Sequence, residues 1–193
     1  MRALDLFCGL GGWSDGLAKE GFDILGVEIE PKIAELYKHN VIVEDVRNLD
    51  PIDYQGYDLI VGSPPCRDFT QLTSFGHRWK DPPNPERGLE LVKTFLNFVE
   101  IAQPKYWLME NVPRLENYLG IKPRATPKLS PTMKRAFWGT FPSFLVPRGG
   151  KGLIWHIQGP LRKWERARIP LPVARALGRA VISQISLKCA TVL

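Results

Sequence analysis

The chain has 193 residues, 44% of them hydrophobic and 24% charged, with 17 Gly, 17 Pro and three Cys; that length and mixture suit one domain with its own core and exclude a disordered or collagen-like chain. The net charge of +6 is uneven, with 12 Lys or Arg against 19 Asp or Glu in residues 1–121 and 14 against one, Glu165, in residues 122–193, so the last third favours an anionic partner such as a phosphate backbone. No run of about 20 apolar residues and no signal peptide is visible, which reads as a soluble cytoplasmic protein without a membrane partner, and Cys8, Cys66 and Cys189 show no CxxC spacing, which argues against a disulfide framework or a metal site.

Residues Ala3–Phe7 read as a buried strand, followed by the glycine loop CGLGG and a helix over Trp13–Glu20 that Gly21 terminates. Asp23–Glu28 is a second strand, Pro31–His39 a helix opened by proline, and Val41–Val43 a short third strand. Asp58–Val61 is a fourth strand ending in Gly62-Ser63-Pro64-Pro65, Glu86–Ala102 a helix, and Tyr106–Met109 a fifth strand ending at Glu110. A last helix, Pro172–Ser186, carries Val173, Leu177, Val181 and Ile185 as an apolar stripe. Strand and helix in alternation predict an α/β fold with a mainly parallel sheet and helices on both faces. Ligands of such sheets bind beyond the carboxyl ends of the strands.

Three polar constellations fall at strand ends. In Asp5-Leu6-Phe7-Cys8-Gly9-Leu10-Gly11-Gly12 the glycines let the backbone turn sharply and approach a ligand before a helix begins, with a spacing that differs from GxGxxG. Glu28 is placed to accept from ribose hydroxyls and Asp45 from an adenine amine, which together point to a cofactor containing adenosine; taken singly, each is equally a helix cap or a solvated loop residue. In Gly62-Ser63-Pro64-Pro65-Cys66-Arg67 two prolines present Cys66 at the mouth of the sheet, with Arg67 beside it to favour the thiolate. A free cysteine is more often a small buried hydrophobe, the reading kept for Cys8 and Cys189. In Glu110-Asn111-Val112-Pro113 a partly buried Glu110 can hold a proton for a ring nitrogen while Asn111 orients the loop through its amide.

In this order, DLFCGLGG, GSPPC and ENV resemble the signature motifs of the cytosine-5 DNA methyltransferases, which use S-adenosylmethionine; the resemblance covers residues 2–113. It implies a Rossmann-like S-adenosylmethionine-dependent methyltransferase fold in which residues 1–193 form a single catalytic domain. Phe7, Gly9, Leu10, Gly11, Glu28, Ile29, Asp45, Val46 and Pro65 would then hold the cofactor, Cys66 would be the nucleophile and Glu110 would engage the base. The family's base-contacting arginine element has its nearest counterpart at Lys134-Arg135, which makes Arg135 the third catalytic candidate.

The C-terminal third departs from the family pattern. IPLPVARALGRAV resembles the helix that completes the cofactor pocket, but Glu165-Arg166-Ala167-Arg168 stands where a glycine-asparagine-serine element is typical. Residues 147–169 form a short basic segment in place of the separate target-recognition domain. Arg67, Arg78, Arg148, Lys151, Arg162, Lys163, Arg166 and Arg168 are the candidates for gripping DNA phosphates, which gives affinity without reading bases. Trp155, His156 and Trp164 read as packing first and stacking groups second, and the loop from Arg67 to Arg87, with Phe75 and His77, is long enough to close over a flipped base. The expected partners are DNA and a second protein or a second copy of the chain that supplies target recognition. An RNA cytosine-5 methyltransferase of the same family and a non-catalytic DNA-binding subunit of a split enzyme remain the alternatives.

Overall fold

A computed structural model of the protein describes residues 1–70, 81–130, 133–146 and 158–190. Strands β1 (Arg2–Leu6), β2 (Asp23–Glu28), β3 (Asn40–Val43), β4 (Leu59–Gly62) and β5 (Tyr106–Asn111) run parallel, in the spatial order β3-β2-β1-β4-β5. The order reverses direction between β1 and β4, so a crevice opens there beyond the strand ends. A two-stranded ribbon, β6 (Lys128–Ser130) and β7 (Met133–Lys134), precedes β8 (Ala136–Thr140), which pairs antiparallel with β5 and closes that side of the sheet.

Side chains alternate between two apolar layers, as strands covered on both faces require. Ala3, Ile24, Leu59, Val61, Leu108 and Phe137 face helix α1 (Gly12–Ala18) and the last helix of the fold, α6 below. Leu4, Leu6, Val27, Ile60, Met109 and Trp138 face α3 (Pro85–Ala102), which follows the short α2 (Pro31–Ala34) and buries Val92, Phe95, Phe98 and Val99. The helices α4 (Glu116–Leu119) and α5 (Arg162–Ala167) are short, and α6 (Leu171–Ala190) buries Val173, Leu177 and Val181 against Trp13 and Leu17 of α1. Glu20, just past α1, is gripped by Arg175 (2.5 Å) and Arg179 (3.0 Å) of α6.

Two elements differ from the sequence reading. The helix expected over Pro31–His39 stops at Ala34, because the Tyr37 hydroxyl meets Ser14 at 2.5 Å and His39 meets Asp15 at 2.9 Å, which turns the segment onto α1. The strand β8 is not among the elements read from the sequence, where Gly139 interrupts its apolar run; β8 pairs with the edge that β5 offers. Among the described residues, no helix is long and apolar enough to cross a membrane.

The α1–α6 crossing is set by Gly16. A Cβ there would lie 2.3 Å from the Ala174 Cβ and 2.9 Å from the Arg175 backbone nitrogen. Gly16→Ala is expected to lower stability by about 1–3 kcal/mol, read as a shift of the urea midpoint. Adding Ala174→Gly should recover only part of it, because the backbone contact remains.

Candidate active site

Beyond β1 the chain turns through three left-handed residues, Phe7 (φ 61°), Gly9 (φ 52°) and Gly11 (φ 76°). A phenylalanine held there costs roughly 1–3 kcal/mol, and the turn is kept by bonds from Gly9 N to Glu28 Oε2 and from Gly11 N to Cys8 O, both 2.9 Å. Phe7, Gly9 and Leu10 line a cleft of about 490 Å³ at the carboxyl edge of the sheet. Gly11 does not reach the cleft; it lies against the Tyr37 ring, 3.2 Å from where its Cβ would be.

Glu28, at the end of β2, also accepts from the Glu30 amide (2.9 Å), so each carboxylate oxygen holds one backbone donor and keeps a lone pair for a ligand. Ile29, 61% exposed, gives the cleft an apolar wall, and Val46 and Pro65 also border it. Asp45 lines the cleft too, but its carboxylate is gripped by Arg47 through Nε (3.1 Å) and Nη2 (2.6 Å), which holds its pKa below the usual carboxylate range. An adenine amine would therefore meet an acceptor already shared with a guanidinium.

A side chain that the sequence left without a role stands at the back of the cleft. Asp5 is 2% exposed, and its Oδ2 accepts from Ser14 (2.6 Å), whose hydroxyl in turn meets Tyr37. Asp5 Oδ1 is buried without a partner, which calls for a donor from a ligand. Burial pushes the Asp5 carboxyl up to about 7, against the lowering effect of Ser14. The glycine turn, the spare lone pairs of Glu28 and this orphaned acceptor together fit a ligand with a ribose at one end and an ammonium at the other.

Cys66 follows the Pro64-Pro65 loop on the same cleft. Asn111, fully buried at the end of β5, donates to Pro64 O (2.9 Å) and accepts from Val112 N (2.9 Å), tying that loop to β5 as its amide predicts. Glu110 and Arg135 are both buried, with Arg135 Nε 3.0 Å from Glu110 Oε1; the contact is an ion pair without hydrogen-bond alignment. The pairing of Asn111 with Ala136 brings residue 135 back to the end of β5. Burial raises the Glu110 pKa, while Arg135 and a hydrogen bond from Ser63 oppose the rise. Burial and Glu110 also push the Cys66 thiol up, and Arg135 pulls it down. The cation acting on the thiol is thus Arg135 and not Arg67, whose guanidinium pairs with Asp81 at 3.2 Å.

The basic residues divide. Lys163, exposed on α5, and the half-buried Arg168 border the cleft with Trp164, Ala167 and Ile169. Arg168 is bonded to Asp15 of α1, and the Arg166 carbonyl accepts from Arg135 Nη2 at 3.4 Å. Arg162 is exposed on α5. Arg78, Arg148 and Lys151, with Phe75, His77, Trp155 and His156, lie outside the described residues, and of Cys189 only the helical backbone is described. Ser14, Tyr37, Ser63 and Trp13, whose Nε1 donates to Ser63 at 3.2 Å, were not singled out from the sequence. They bear no motif of their own and enter through contacts between distant segments. Among the described residues, no three His, Cys, Asp or Glu are grouped to hold a metal ion.

Comparison with known proteins places these features in one context. Residues 1–119 match the family described as C-5 cytosine-specific DNA methylase. The chain is 35% identical over 134 residues to the type II methyltransferase M1.HphI of Haemophilus parahaemolyticus, covering 63% of this chain and 35% of that protein. It is 37% identical over 122 residues to M.DdeI of Desulfomicrobium norvegicum, covering 58% of this chain and 28% of that one. It therefore spans about a third of the length of these curated relatives. An E. coli prophage-encoded protein whose crystal structure is described as that of a DNA modification methyltransferase superposes with a TM-score of 0.55 at 25% identity, over 72% of this chain and 46% of that one.

Two outcomes follow from the charges. Iodoacetamide at pH 8 should alkylate Cys66 several-fold more slowly than free cysteine, as read by peptide mapping; Glu110→Gln should speed the reaction and Arg135→Met slow it further. The folded chain keeps the Asp5 proton to about pH 7, whereas the unfolded chain releases it near 3.8, so this group costs stability as pH rises between those values. Unfolding curves of Asp5→Asn should accordingly gain on the parent between pH 4 and pH 8, by on the order of 4 kcal/mol.

Proposed function

Because the chain belongs to the C-5 cytosine-specific DNA methylase family, we propose that it transfers a methyl group from S-adenosylmethionine to carbon 5 of cytosine in DNA. The observation that carries this reading is the sequence of groups along one sheet edge: Asp45 after β3, Glu28 as the last residue of β2, the glycine turn after β1, Cys66 after β4 and Glu110 next to the end of β5. Glu28 and Ile29 would hold the adenosine on the same cleft that Cys66 borders.

Carbon 5 of cytosine is too weak a nucleophile to take a methyl group unaided. In the proposed reaction the Cys66 thiolate forms a bond to carbon 6, and the electron pair of the 5,6 double bond moves onto the ring as Glu110 gives a proton to N3. The thiol proton must leave first, and Arg135 is the group that favours its loss. The bound cofactor supplies the electrophilic methyl group. A base then removes the carbon 5 proton, the double bond re-forms, the sulfur–carbon 6 bond breaks with its electrons returning to Cys66, and N3 gives its proton back to Glu110. A stacked base cannot reach Cys66, so the cytosine has to flip out of the duplex, as methyltransferases generally require. Asn111 and the two prolines hold the nucleophile's loop still during this exchange.

We further propose that residues 1–193 act as a single catalytic domain on cytoplasmic DNA, with the basic residues of segment 147–169 that do not line the cleft contacting phosphates. In this proposal target selection comes from a protein partner or a second copy of the chain.

The test uses a duplex containing 5-fluorocytosine together with S-adenosylmethionine; carbon 5 carries fluorine in place of the proton that a base must remove, so the adduct cannot resolve. The parent chain should form a covalent adduct with it, seen as a mass increase on the Cys66 peptide, and Cys66→Ala should form none and lose methyl transfer to the assay limit. Full transfer by Cys66→Ala would overturn the reading, as would preference for tRNA over duplex DNA in direct competition.

A further inference from the structure

Ser63 stands where the strand order reverses. Gly62, the last residue of β4, pairs with Leu6 of β1 on one side and with Met109 of β5 on the other. The residues that follow on the three strands are Phe7 of the glycine turn, Ser63 and Glu110. We propose that Ser63 is a positioning residue for Glu110: its hydroxyl, oriented by the Trp13 indole, donates to the carboxylate that forms when Glu110 gives its proton to the base. The inference deepens the reading of Glu110 given above and rests on it.

Three observations support it. The first is the direction of the hydroxyl. Trp13 is 2% exposed and packs on Phe137, with ring centres 5.9 Å apart, so its ring is fixed where its Nε1 donates to Ser63 Oγ at 3.2 Å. An indole N–H only donates, so the serine oxygen accepts in that pair and its own proton is left to give elsewhere. The second is the receiving group. Glu110 is 5% exposed, and the Ser63 hydroxyl bonds to it, acting against the rise that burial causes in its pKa. Arg135, at 3.0 Å, supplies charge without hydrogen-bond alignment, so Ser63 supplies the direction that the ion pair lacks.

The third observation is the backbone that carries the hydroxyl. The Ser63 amide donates to Leu6 O at 3.4 Å, and the carbonyl of the next residue, Pro64, accepts from the buried Asn111 side chain at 2.9 Å. The serine is thus tied to β1 on one side and to β5 on the other. A hydroxyl that donates favours the ionised carboxyl over the neutral one, so it contributes most once N3 has taken the proton and least before that. Ser63 itself gains and loses no proton. Because Trp13 stands on α1, directly after the glycine turn, the bonds from Trp13 to Ser63 and from Ser63 to Glu110 join the two sides of the cleft.

The experiment is single-turnover methyl transfer by the full chain at saturating duplex DNA and S-adenosylmethionine, followed from pH 5.5 to pH 9. Ser63→Ala should slow transfer about tenfold at the optimum, the loss expected for one donor to a charged acceptor, and should move the limb of the profile set by Glu110 to higher pH. Infrared titration of the carboxyl band that Glu110→Gln removes should show the same upward move. S-adenosylhomocysteine binding, which also shows that the variant is folded, should change by less than about twofold. Ser63→Thr keeps the hydroxyl and should recover most of the rate; Trp13→Phe keeps a ring but loses the N–H and should move the same limb the same way by less. An unchanged rate in Ser63→Ala, a slower rate with an unmoved profile, or loss of S-adenosylhomocysteine binding in step with the rate overturns the role of Ser63 and leaves the site standing. A Trp13→Phe profile equal to the parent's overturns the part given to the indole. A parent chain that transfers no methyl group overturns the reading of the site and this inference together.

Discussion

Five strands pointing the same way put five carboxyl ends at one edge of the sheet, and the site rests on that constraint. Strands β1, β2, β4 and β5 are largely buried on both faces, so their polar residues emerge near the strand ends, where the helix cover stops. Asp45, Glu28, the glycine turn, Cys66 and Glu110 are thereby lined up in the spatial order β3-β2-β1-β4-β5. The linear sequence separates Asp45 from Glu28 by 17 positions and Glu110 from Cys66 by 44. The sheet makes them neighbours.

Burying charge at this edge is costly, and the structure offsets it in two ways. Glu110 is matched by the charge of Arg135 and by the Ser63 hydroxyl. Asp5 is only half matched: Ser14, itself bonded to Tyr37, serves one oxygen, the other has no partner, and burial raises the carboxyl pKa to about 7. A folded state that keeps an unsatisfied acid on the wall of a cleft gives up stability that a ligand bearing a hydrogen-bond donor restores.

The antiparallel strand β8 connects these charges to the rest of the protein. It starts one residue after Arg135, and its pairing with β5 fixes where that guanidinium stands. Arg135 reaches Glu110 on one side and the backbone of α5 on the other. The nucleophile's loop, the buried carboxyl and the basic helix over the glycine turn therefore share one cation, and its removal would be felt at all three.

The sequence by itself determined the strand and helix alternation, the mainly parallel sheet and the position of Glu28, Cys66 and Glu110 at strand ends, because each sits where an apolar run meets glycine, proline or an acid, a junction visible within a few residues. It did not determine which charges meet. Arg67 is the sequence neighbour of Cys66, yet Arg135 acts on the thiol; Lys163 and Arg168 read as phosphate contacts, and the fold sets both at the border of the cleft. Tyr37 looked helical, and a bond to Ser14 drew its segment onto α1. Tertiary structure decided these because Coulomb interactions and hydrogen bonds depend on separation in space, and only the closing of β8 on β5 and of α6 on α1 sets those separations.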